Sequence, residues 1–80
     1  MNRESGESLD ALKIGERARV LGFDMPEEHR QRLLEMGLTI GAECSVVRFA
    51  PMGDPIDIKV RGYQLSLRKK EAAGVRITRL

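Results

Sequence analysis

Residues 56–67 read IDIKVRGYQLSL, and this stretch decides the fold class. Ile56, Ile58 and Val60 alternate with Asp57 and Lys59; after Arg61 and Gly62, Tyr63, Leu65 and Leu67 alternate with Gln64 and Ser66. In an extended chain successive side chains point to opposite faces, so a period of two gathers the apolar residues on one side. Two such runs split by an Arg-Gly pair predict a β-hairpin with one buried face.

The segments on either side continue the β reading. Upstream, Glu43 to Phe49 (ECSVVRF) is rich in β-branched and aromatic residues, yet Val46 and Val47 place apolar groups on both faces. That pattern predicts a strand that bends or is covered twice. Downstream, Arg68 to Ala73 predicts one helical turn stopped at Gly74, with Val75 and Ile77 in a last short strand. Toward the N-terminus, DMPEEHRQRLLEMG (24–37) carries helix signals: Asp24 or Met25 as N-cap, Pro26 in the first turn, Glu27 and Glu28 beside the positive end of the dipole, and Gly37 as C-cap. Met25, His29, Leu33 and Met36 form its inward stripe. Before it, Leu9, Leu12 and Ile14 lead to Gly15, and Ala18, Val20 and Leu21 lie in a first strand ending near Phe23.

Residues 1–8 (MNRESGES) are polar and aperiodic and read as a flexible lead-in, leaving 9–80 as one domain. Five short strands with one helix inserted after the first make the chain mainly β. So few residues cannot build two full sheets, which predicts a small, strongly bent SH3-like β-barrel that closes on itself.

Composition bounds the function. The chain has 80 residues, 41% hydrophobic and 32% charged, with 14 Lys and Arg against 12 Asp and Glu and a formal net charge of +2. One thin-cored domain is all this length supports. The small positive excess does not point to dedicated nucleic-acid binding. The single cysteine excludes an internal disulfide and suits a reducing, cytoplasmic setting. No apolar run reaches the roughly 18 to 20 residues of a membrane-spanning helix, and the start lacks the apolar stretch of a secretory signal, so direct membrane insertion is not expected.

The stretch from Arg30 to Ile77 resembles the FeoA family: RLLEMGL at the helix end, the Gly41 turn, the loop APMGDP, then IDIKVRGY and LSLRKKEA. A weaker match in LDALKIGERARVLGF extends the likeness over roughly residues 9 to 78. The resemblance implies an SH3-like barrel encoded beside FeoB, a ferrous iron permease with a cytoplasmic GTPase domain, and an accessory role toward that permease. It also implies kinship with the domain that ends metal-dependent repressors of the diphtheria-toxin-repressor type. No helix-turn-helix precedes the barrel here, which favours the free-standing role.

The candidate site residues are those able to meet a partner. In Pro51-Met52-Gly53-Asp54-Pro55, two prolines restrict the backbone, Gly53 permits a positive φ, Asp54 can accept backbone N–H bonds, and Met52 can face solvent. Such a loop is a docking surface or simply a tight connection. Arg68, Lys69 and Lys70 form the densest basic run, suited to an acidic surface, while Arg68 could instead hold the barrel end by a charge-assisted bond. Leu34, with Leu38 and Ile40, forms either an exposed apolar patch or part of the core.

His29 and Cys44 fall short of the three or four ligands of a dedicated metal site, so no metal and no cofactor is assigned within one chain. A transition-metal site shared across an oligomer is the alternative reading. No phosphate-cradling loop or nucleophile–base pair appears, which argues against an enzyme. An arginine supplied in trans to a GTPase is conceivable for Arg48, Arg61 or Arg68. The lead reading is a cytoplasmic regulator of ferrous iron uptake that contacts a FeoB-like permease through Met52, Gly53, Asp54, Pro55, Arg68, Lys69 and Leu34. A proline-rich peptide receptor would need an aromatic-lined groove, and the chain has no tryptophan.

Overall fold

A computed structural model describes residues 7–80. The hairpin forms where the alternation places it: β4 (Ile56–Val60) and β5 (Tyr63–Leu67) pair antiparallel from Val60↔Tyr63 to Ile56↔Leu67. Arg61 at φ 53° and Gly62 at φ 88° make a two-residue turn whose twist matches the strands. Gly62 adopts this freely, whereas Arg61 pays about 1–2 kcal/mol. Its side chain offsets part of that by donating to Thr39 Oγ1 at 2.7 Å and more weakly to the Gly37 carbonyl at 3.4 Å.

The remaining elements are β1 (Glu7–Ser8), a 3-10 turn at Leu9–Ala11, β2 (Arg17–Phe23), α1 (Glu27–Glu35), β3 (Glu43–Phe49), α2 (Lys69–Ala72) and β6 (Val75–Arg79). All six strands join one antiparallel sheet in the order β1-β6-β2-β3-β4-β5. The expectation of a closed barrel is corrected here: β1 and β5 end the sheet and do not pair. The sheet bends instead, through bulges at Leu21 in β2 and Val47 in β3, where the register slips by one residue. The slip at Val47 answers the doubly apolar pattern in ECSVVRF. Leu21, between buried Val20 and Gly22, faces outward as the alternation along β2 dictates, against its placement in the first strand's apolar set.

Glu7 and Ser8 also depart from expectation. Assigned to the lead-in for their polarity, they pair with Ile77 and Arg76. The rest of that lead-in lies outside the described residues.

The core is built from Leu9, Leu12, Val20, Leu33, Leu38, Val46, Ile56, Ile58, Val60, Leu67, Val75 and Ile77. β4 buries its whole apolar face. β5 does not: Leu67 is buried, Leu65 half-buried and Tyr63 exposed, because β5 is a sheet edge.

Helix α1 reaches the core mainly through Leu33. Met25 and Met36 are half-buried, and His29, expected on the inward stripe, is exposed, since nine residues crossing a small core touch it over about one turn. The N-cap is Pro26, with no side-chain capping bond; Asp24 instead donates its backbone N–H to the Gly74 carbonyl at 2.7 Å. At the C-terminus Gly37 takes φ 101°, the Leu38 N–H reaches the Leu33 carbonyl at 3.0 Å, and the Gly37 N–H reaches that of Leu34 at 3.0 Å. This is a Schellman motif, with Leu38 and Leu33 as its buried apolar contact.

Tyr63 Oη donates to the Met36 carbonyl at 2.7 Å and lies over Gly37, where an added Cβ would sit 1.8 Å from the phenol oxygen. Gly37→Ala is therefore expected to destabilise the domain by about 1–3 kcal/mol in urea unfolding. The same change made in a Tyr63→Phe background should cost less. Equal costs in both backgrounds would show that the phenol is not the obstacle.

Candidate partner-binding face

The loop after β3 closes on itself. The Gly53 N–H donates to the Ala50 carbonyl at 2.7 Å and the Ala50 N–H to the Pro55 carbonyl at 3.0 Å, with Gly53 at φ 85° and the Asp54–Pro55 peptide cis. Those bonds leave Met52 at the tip, 92% exposed. Asp54 Oδ1 accepts the Lys69 N–H at 3.0 Å, tying the loop to the start of α2. One hydrogen bond thus joins the two stretches singled out in the sequence, bringing Met52, Gly53, Asp54 and Pro55 beside Arg68 and Lys69.

Four residues are too few for a helix to hold its own shape. Helix α2 is fixed by Glu71, a buried carboxylate. Its Oε1 accepts the Arg68 N–H at 3.1 Å, which is the glutamate half of a capping box; a guanidinium has no acceptor, so the other half is absent. Its second oxygen pairs with the Arg32 guanidinium of α1. The charge-assisted bond expected of Arg68 is therefore made by Arg32, and Arg68 contributes only its backbone. The Arg68, Lys69 and Lys70 side chains are exposed and have no carboxylate partner among the described residues.

Burial by itself would raise the Glu71 carboxyl, but the bonds from Arg32 and the Arg68 N–H, with the charges of Arg32 and His29, outweigh it and hold the group below its ordinary range. A spacing of three from Arg68 across a helical turn could have revealed Glu71 in the sequence. Nothing in the sequence pairs it with Arg32.

Leu34 stands apart. It is half-buried in the last turn of α1, on a different element from the Pro51–Pro55 loop and the start of α2. The patch it was to share is not continuous, because Leu38 is fully buried as the apolar contact of the helix cap while Ile40 is 66% exposed. His29 lines a cleft of about 340 Å³ with Met25, Pro26, Lys70 and Glu71. Cys44 faces the core, and burial pushes its thiol up to about 11. Among the described residues no group of three or more His, Cys, Asp or Glu is placed to hold a metal ion. Among the described residues no helix is long and apolar enough to cross a membrane.

Residues 7–79 match the FeoA domain family. The chain belongs to the FeoA family. It is 33% identical over 69 residues to the Fe(2+) transport protein A/Fe(2+) transporter FeoB fusion protein of Porphyromonas gingivalis; that match covers 86% of this chain and only 8% of the fusion. The solution structure of FeoA from Chlorobium tepidum is 41% identical with a TM-score of 0.87, over 91% of this chain and 70% of that one. FeoA of Stenotrophomonas maltophilia, an SH3 domain protein solved with zinc, is 27% identical with a TM-score of 0.75, over 88% and 87% of the two chains. The SH3-like, mainly β assignment stands on this agreement, although the sheet here remains open.

Because Glu71 is held below its ordinary pKa in the folded state, the stability it supplies is present above that ordinary value and disappears as the pH falls through the lowered one. Glu71→Gln should lower stability at pH 7 and flatten the loss of stability between neutral and acid pH in denaturant titrations; an unchanged acid limb would contradict this. Cys44 should resist iodoacetamide at pH 8 in the native protein and react fully in denaturant, since the thiolate is the nucleophile and burial suppresses it.

Proposed function

We propose that this FeoA-family domain serves ferrous iron transport in the cytoplasm by binding the cytoplasmic part of a FeoB-type permease, without chemistry of its own. The observation that carries the reading is the Porphyromonas gingivalis relative, in which a segment like this chain is joined to FeoB. A covalent link replaces a two-body encounter by an effective concentration on the order of millimolar, which is useful where the joined parts must touch.

The Met52 loop and the basic start of α2 are the surface best suited to that contact. Its backbone is already ordered, so docking loses little loop entropy. The Met52 thioether is polarizable and adaptable to a partner pocket. The unpartnered charges of Arg68 and Lys69 attract an acidic surface over roughly a Debye length, about 8 Å at physiological salt. Gly53, Asp54 and Pro55 set the loop's shape, and Leu34 adds a separate apolar contact from α1.

A second reading is favoured by the zinc complex of the Stenotrophomonas maltophilia relative. With fewer than three clustered ligands in the described residues, a transition metal here would have to be held between copies through His29 or carboxylates. Anaerobic titration with ferrous iron or zinc during sedimentation separates the two, since only the metal reading expects assembly.

For the lead reading, the full chain is mixed with the detergent-solubilised permease or its soluble domain. Met52→Asp and Arg68→Glu should each weaken binding about tenfold or more, equivalent to about 1.4 kcal/mol. The Arg68→Glu loss should shrink at high salt. No binding by the native chain removes the proposal.

A further inference from the structure

Among the described residues strand β5 is one edge of the sheet, with β4 as its only strand partner. In a two-residue hairpin the residues flanking the turn, here Val60 and Tyr63, exchange both backbone bonds, and the pattern then alternates along the ladder. Leu65 and Leu67 therefore direct their N–H and C=O groups toward β4. Gln64 and Ser66 direct theirs outward. Both residues are exposed, and among the described residues no backbone bond beyond the strand ladder reaches them. Two donors and two acceptors, about 7 Å apart by strand geometry, are open along this edge.

Edge strands are normally blunted by charge, proline, a bulge or shortness. The sequence of β5, YQLSL, has no charge and no proline, and its register with β4 runs unbroken over five residues. The opposite edge is blunted: β1 has two residues, and Glu7 is ion-paired with Arg79.

Charge indicates what kind of strand would fit. Arg61 precedes β5, Arg68, Lys69 and Lys70 follow it, and exposed Lys59 stands opposite Gln64. The carboxylate opposite Ser66, Asp57, is engaged by Arg48 at 3.0 Å and by the Ser66 hydroxyl. A second copy paired antiparallel about Leu65 would bring Arg61 of each copy toward Arg68 and Lys69 of the other. Those like charges disfavour self-pairing, so the fitting occupant carries the opposite sign.

We propose that the outer edge of β5 takes up an extended segment as a seventh strand, one with an uncharged, β-favouring centre and carboxylates on both sides. The idea rests on the contact reading above and gives the partner segment its chemistry. Main-chain bonds to Gln64 and Ser66 supply the docking, and the flanking cations supply the selection.

The test uses the full chain, the peptide acetyl-DDTVTVDD-amide and its charge-inverted control acetyl-KKTVTVKK-amide, with amide hydrogen exchange followed by NMR. At saturating acidic peptide the Gln64 and Ser66 amides should exchange at least tenfold more slowly, and the basic peptide should leave them unchanged. Ser66→Pro removes an outward donor that the ladder does not use and should abolish the protection at Gln64. Should that variant fail to fold, Arg68→Glu must weaken peptide binding severalfold. No slowing with the acidic peptide, equal slowing with the basic one, or protection that rises with protein concentration in the absence of peptide overturns the assignment. If Ser66→Pro binds the permease's soluble domain as the native chain does while Met52→Asp does not, the edge falls and the loop contact stands. No native binding to that domain removes the permease reading, loop contact included, and the peptide result then decides the edge.

Discussion

The carboxylate of Glu71 holds together the parts of this domain that a partner would meet. It accepts from the backbone at the end of β5 and from Arg32 on α1, and in doing so fixes a four-residue helix that could not otherwise persist. Removing one member of a fully buried ion pair costs about 3–5 kcal/mol. The half-exposed Arg32 guanidinium puts this pair below that range. Its importance is positional as much as energetic: with α2 in place, the Lys69 N–H is where Asp54 can accept it, and the Pro51–Pro55 loop is drawn against the basic run.

Much of this arrangement is legible in the residues themselves. The hairpin follows from strict alternation and the Arg-Gly turn, the β3 bulge from two adjacent valines, and the helix stop from Gly37. The ability of Asp54 to accept backbone N–H groups also shows in its neighbours, since Gly53 and two prolines leave the loop few other shapes. What the sequence hides is what depends on distance along the chain. Arg32 and Glu71 lie 39 residues apart, and neither carries a mark of the other. Glu7 and Ser8 make a strand by backbone pairing alone, for which side-chain polarity holds no signal.

The same limit explains the open sheet. Alternation reports that a strand has two faces, but it cannot report whether the strand's edge is occupied. β4 and β5 have equivalent apolar patterns, yet β4 is interior and buries Ile56, Ile58 and Val60, whereas β5 is an edge and buries only Leu67 completely. His29 follows a related logic. Helical spacing placed it on the inward stripe, but α1 meets the core chiefly at Leu33, and His29, one turn before that contact, is exposed.

Net charge is a poor guide to the field near this surface. Among the described residues six carboxylates, those of Glu7, Glu16, Glu27, Glu43, Asp57 and Glu71, are engaged in ion pairs with arginines. The cations around β5 and α2, namely Lys59, Arg68, Lys69 and Lys70, have no such partner among the described residues. A formal +2 spread over the molecule therefore becomes a concentrated positive margin beside the unblunted β5 edge. The aromatics do not convert that margin into a stacking platform for nucleic acid: Phe23 and Phe49 pack against the core, and the Tyr63 phenol is tied to the Met36 carbonyl. Cations without stacking groups, set beside unpaired main-chain donors and acceptors, suit an acidic polypeptide better than a polynucleotide.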